Sequence, residues 1–176
     1  MNNNELFPLG VRRDNSYYTR INWASTTERD PRLWVLNIID DDIMRDGGTW
    51  GANDENSANV VLDFFGETQK VSKIRIYKNV GIKISVLEEL AREINIYSCN
   101  DSSPHKKLRT AEDDIDSVNW ILQGTMEIVK EEGWQEMVFA KPFDAKFIRI
   151  EMKDNFCERD ENFIPWIEFS EVKIYG

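Results

Sequence analysis

The chain has 176 residues, 32 of them acidic and 22 basic, and the resulting net charge of −10 would on average repel phosphate backbones and anionic bilayers. Nucleic acid is therefore not expected as a partner. Membrane insertion is not expected either, because no run approaches the ~18 consecutive apolar residues of a span. With a single His and no Gly-x-Ser-x-Gly elbow, phosphate-cradling glycine loop or His-rich cluster, the commonest readable catalytic constellations are missing and the chain reads as a non-enzyme.

In chain order, the first organised stretch is Trp23-Ala24-Ser25, followed by the acidic turn Ile39-Asp40-Asp41-Asp42 and the pair Thr49-Trp50. Val60-Val61-Leu62-Asp63-Phe64-Phe65 is apolar enough for a strand and stops at Gly66. Val71–Tyr77 alternates, with Ile74 and Ile76 on one face and Lys73 and Arg75 on the other, until Asn79 and Gly81 break it. Val86–Arg92 has helix formers at helical spacing and is expected to form a short helical turn. Glu93–Tyr97 alternates again. Asn100-Asp101 and Ser103-Pro104-His105-Lys106 then read as polar turns, with His105 exposed.

Further strands are expected at Glu136–Phe139, Phe147–Met152 and Glu171–Tyr175, with Pro142 and Pro165 as breakers ahead of the last two. Many alternating runs without interleaved helices describe an all-β sandwich or jelly roll, each strand having one buried and one wet face. No repeat or internal linker divides residues 1–176, so one domain is expected. Cys99 and Cys157 are too few for a disulfide framework and lack metal-site spacing.

The order and spacing of these pieces resemble the discoidin, or coagulation-factor type C, family of the galactose-binding-like superfamily, which includes the family 32 carbohydrate-binding modules. The similarity covers about residues 23–176. It rests on Trp23-Ala24-Ser25, the acidic turn with Thr49-Trp50, Val61-Leu62-Asp63-Phe64-Phe65-Gly66, Ile94–Asp101, Phe147-Ile148-Arg149-Ile150 and the terminal Glu171–Gly176. The resemblance implies an eight-stranded jelly-roll β-sandwich with the chain ends at one pole and ligand-binding loops at the other, and it implies that Trp50 and Trp23 are buried as packing aromatics.

The resemblance also implies a non-catalytic module that binds a glycan and can be covalently joined to a catalytic domain. A protein-interaction or assembly domain on the same fold is the alternative. Such a module would be extracellular if it is part of a secreted protein, and cytoplasmic if Met1 is the native start.

Two sets of residues follow from that resemblance. A structural calcium ion would take the Asp40 and Asp42 carboxylates, Thr49, Glu171, and carbonyls near Asn37 and Ser170, calcium preferring ~6–8 hard oxygen donors. Here Thr49 lies further beyond Asp40 than the family pattern places it, with Ile43-Met44-Arg45-Asp46 as an apparent insertion. The ligand would meet Glu28, Arg29 and Trp34 from one loop, Lys78 and Asn79 from a second, and Phe156, Arg159 and Trp166 from a third. Aromatic faces suit the C–H face of a sugar ring, and planar polar groups suit its hydroxyls. Trp34 and Trp166 equally fit a role capping the core.

Overall fold

The computed structural model describes residues 14–25, 34–41, 43, 50–52, 57–78, 87–157 and 167–176. Their strands are β1 (Arg20–Ala24), β2 (Trp50–Ala52), β3 (Ser57–Asp63), β4 (Gln69–Lys78), β5 (Ala91–Cys99), β6 (Ile121–Glu127), β7 (Gly133–Ala145), β8 (Phe147–Asn155), β9 (Ile167–Phe169) and β10 (Glu171–Tyr175). All named pairings are antiparallel. A five-stranded sheet runs β1-β3-β8-β5-β6, a three-stranded sheet runs β10-β4-β7, and β2 pairs with β9. The two larger sheets hold eight strands between them, and the fold is an all-β sandwich.

Alternation places the core. Ile74 and Ile76 of β4 and Val172 and Ile174 of β10 turn inward to meet Val60, Leu62, Ile94, Ile96, Ile148 and Ile150 from the larger sheet. Trp50 is fully buried there, its ring edge-on to Phe169 with centroids 5.7 Å apart. A second cluster, formed by Trp23, Val61, Cys99, Leu108, Val118 and Phe147, lies where residues 100–120 fold back. That excursion contains a short helix, α1 (Ser103–Lys107), where the sequence suggested only a polar turn. Pro104 stands in its first turn, where a missing N–H costs no helix bond. Trp23 is buried as expected, its indole N–H donating to the Thr110 carbonyl at 2.5 Å.

One expectation holds and two change. The helical pattern at 86–92 yields, in its described part, a single turn at Leu87–Glu89 before Leu90 and β5. Pro142, expected as a breaker ahead of the Phe147 strand, does stand before it but lies inside β7, an edge strand. The register passes from Val71↔Phe143 to Lys73↔Val138, so no ladder bond is asked of the proline. Finally, β8 has no wet face from Phe147 to Met152: Arg149 and Glu151, which alternate with Ile148 and Ile150, are buried as well.

Register defines two poles. At one, Phe65 and Gly66 take positive φ values of 56° and 88° in the turn from β3 to β4, with Asp63 Oδ1 accepting from the Phe65 N–H. The α1 excursion, the β7–β8 corner and the bridge Ser16↔Tyr175 share that pole. The opposite pole holds the ends of β1, β4, β6 and β8 and the starts of β3, β5, β7, β9 and β10.

Candidate functional site

The three sequence-predicted loops leave the sandwich from one pole. β1 ends at Ala24, opposite Val60 near the start of β3. β4 ends at Lys78, opposite Gly133 and beside Glu171 across from Tyr77. β8 ends at Asn155, opposite Ala91 at the start of β5. Backbone bonds tie these roots across the sheets: Phe156 N–H to Glu88 O at 2.8 Å, Glu168 N–H to Glu89 O at 3.0 Å, and Ser170 N–H to Tyr77 O at 2.9 Å.

Lys78 sits beneath this pole rather than on it. It shares its parity along β4 with Ile74 and Ile76, so its side chain turns inward, where it is 1% exposed and pairs with Glu168 of β9, itself 3% exposed. Burial pulls the Lys78 ammonium down to about 7, and the nearby Glu89 carboxylate opposes part of that shift. The pair joins the end of one strand to the start of another directly under the loop roots.

Phe156 is partly buried and lines a cavity of about 580 Å³. Strand ends supply the rest of its wall: Arg92 and Glu93 of β5, Glu127 and Ile128 at the end of β6, Lys153 and Asp154 of β8. The Arg92 guanidinium lies 5.6 Å from the Phe156 ring centre and 3.4 Å from the Asp154 carboxylate. Lys153 reaches Glu93 at 3.7 Å, while Glu127 faces Glu93 directly across the ladder. Asp154 holds a positive φ of 54°, and the side chain of buried Asn155 accepts from the Cys157 N–H at 3.1 Å. These features fix the direction in which the chain leaves β8 toward Phe156. The volume falls in the range of small-ligand sites, and the wall combines an aromatic ring with carboxylates and a guanidinium able to bind hydroxyl pairs.

Of the other proposed ligand residues, Trp34 is 45% exposed and directly precedes a 3-10 turn, Val35–Ile39. Glu28, Arg29, Asn79, Arg159 and Trp166 lie outside the described residues. The cavity residues other than Phe156 are not among the sequence-predicted ligand residues.

The acidic turn follows the same 3-10 turn. Ile38 anchors it in the core, and Asp41, at a positive φ of 66°, donates its N–H to Glu171 Oε2 at 3.1 Å. Glu171 and Ser170 are fully buried, whereas Asp40 is exposed. The Asp41 carboxylate itself meets Lys173 at 2.8 Å. Asn37 stands in the 3-10 turn and Asp42 and Thr49 lie outside the described residues, among which no three His, Cys, Asp or Glu side chains converge as a metal site.

No protein-family model matches the sequence, and no curated protein does. Solved structures do. A family 32 carbohydrate-binding module of Clostridium perfringens NanJ, solved with galactose, superposes with a TM-score of 0.63 at 16% identity, covering 90% of this chain and 94% of that one. A family 32 module from a family 31 glycoside hydrolase of Clostridium perfringens gives 0.61 at 11% identity, covering 97% and 99%. A fucolectin from striped bass serum gives 0.63 at 12% identity, covering 90% of this chain and 47% of that one. The chain has the discoidin-like, galactose-binding-like fold that its sequence resembles.

Proposed function

We propose that the chain is a non-catalytic carbohydrate-binding module that takes a glycan at the loop pole, with the cavity beside Phe156 as part of the site. The observation that carries this reading is the meeting, at one end of the sandwich, of three loop roots and a ligand-sized cavity with an aromatic ring and planar charged groups. Solved neighbours described as carbohydrate-binding modules support it, and one of them comes from a glycoside hydrolase, so a covalently linked catalytic domain is a fitting partner. A structural calcium ion belongs to the same proposal, held by Asn37, Asp40, Asp42, Thr49, Ser170 and Glu171. The buried Glu171 carboxylate against the backbone of the acidic turn supports it. The ion would supply positive charge that ties this turn to β10.

A glycan array tests the binding reading. The chain is expected to select one class of saccharide, and replacing Phe156 by Ala should weaken that signal at least tenfold. A blank array from folded chain, coupled with retrieval of a protein partner, would favour an assembly domain instead.

A further inference from the structure

The wall of the loop-pole cavity is not electrically balanced. Two of its carboxylates have cations: Asp154 meets Arg92 at 3.4 Å, and Glu93 meets Lys153 at 3.7 Å. Asn95 adds an N–H to Glu93 at 3.3 Å. The third carboxylate, Glu127, stands directly opposite Glu93 on the β5–β6 ladder, and among the described residues no ion pair or hydrogen bond reaches it. The adjoining turn from β6 to β7 does not restore the balance. Its Lys130 lies 3.5 Å from Glu88, and Glu131 and Glu132 follow with further negative charge.

Two carboxylates directly opposite each other on one face of an antiparallel ladder repel. The next row of the same strands shows the ordinary arrangement, with Thr125 opposite Asn95 and its hydroxyl donating to Asn95 Oδ1 at 2.6 Å. A positive group seated between Glu93 and Glu127 would relieve the repulsion, and the cavity gives it room beside an aromatic ring. A bare metal ion suits the place poorly. It would want ~6–8 oxygens, among the described residues no three His, Cys, Asp or Glu side chains converge, and Phe156 offers it nothing. An organic cation on a ring uses both the carboxylates and the aromatic face.

We infer that the cavity takes a sugar bearing a protonated amine, the ammonium set between Glu93 and Glu127 and the ring against Phe156. An ammonium has three N–H donors, enough to serve both carboxylates at once. The inference rests on the glycan-binding reading of this site and adds to it the class of sugar.

Calorimetric titration of the whole chain with two matched pairs of trisaccharides tests it: glucosamine against N-acetylglucosamine, and galactosamine against N-acetylgalactosamine. Within a pair the ring is the same and only the charge of the nitrogen substituent differs. In at least one pair the amine form should bind about fivefold more tightly, the attraction of one unit charge across about 4 Å of water, and the preference should shrink as salt is raised. Glu127 is exposed, so Glu127→Gln should fold normally, and it should cost the amine form most of that preference. Glu136→Gln, which removes the same charge from the outer face of the other sheet, should leave the titrations unchanged. The inference falls, with the glycan reading intact, if the chain binds sugars but no amine form more tightly than its acetylated partner. It falls equally if Glu136→Gln weakens the amine form as much as Glu127→Gln does, or if trilysine, a cation without a sugar ring, binds as tightly. A chain that binds no sugar at all removes the reading and the inference together.

Discussion

Replacing Glu168 by Ala should destabilise the chain by about 3–5 kcal/mol, the cost of breaking a buried ion pair and leaving one partner stranded. Lys78 and Glu168 are 1% and 3% exposed, so solvent cannot rehydrate the ammonium once its partner is gone. Replacing both by apolar residues of similar length, Lys78→Met with Glu168→Leu, should by contrast return stability to near the wild-type value, because the desolvation cost vanishes with the attraction. Urea unfolding at pH 6 measures both. A Glu168→Ala variant within about 1 kcal/mol of wild type would show that the pair is hydrated in solution.

The same pair makes stability depend on pH. Folded Lys78 loses its proton at about 7, whereas the unfolded chain holds it to its ordinary value of 10.5. Between those values the unfolded state binds more protons, so this residue's contribution to stability rises with pH across the window and is lost as pH falls through about 7. Lys78→Met should lack that slope.

Removing calcium should have an effect of similar size. An ion bound only by the folded state contributes about 4 kcal/mol when its free concentration is a thousand times its Kd. For a chain of this length that corresponds to a fall in Tm of about 8–16 °C on adding chelator. Glu171→Gln should abolish the response, since it removes the buried carboxylate that faces the acidic turn. An unchanged melting temperature, with no metal found by elemental analysis, would contradict the proposed ion.

Period-two patterning made β4, β5, β8 and β10 legible because inward residues such as Ile74 and Ile150 are apolar and regularly spaced. It misjudged the other face of β8. The Arg149 guanidinium donates to Asn59 Oδ1 at 2.8 Å and to Asp116 at 2.9 Å, while Glu151 accepts from Tyr97 and Asn95, so a run that looks wet is a buried polar network. Burial in this case comes from the partners, which are distant in sequence. β6 escaped notice because its edge position leaves Ile121 and Leu122 both exposed, without alternation.

The site was legible only in outline. Loop composition pointed to Phe156, and the parity of Ile74 and Ile76 could have placed Lys78 on the core side. The cavity wall could not be read, because Arg92, Glu127 and Asp154 come from three strands that only the ladder register brings together. That Asp154 adopts a positive φ has no local marker either, since aspartate is common in ordinary turns as well.

A saccharide is expected to seat itself at the end of the sandwich where β1, β4 and β8 release their loops. Titrating the isotope-labelled chain with an array-selected sugar, and following amide shifts residue by residue, addresses it most directly. Shifts should concentrate at Arg92, Glu127, Ile128, Asp154 and Phe156, leaving the turn at Phe65–Gly66 still. Shifts centred on that turn or on α1, with the cavity residues unmoved, would contradict the account.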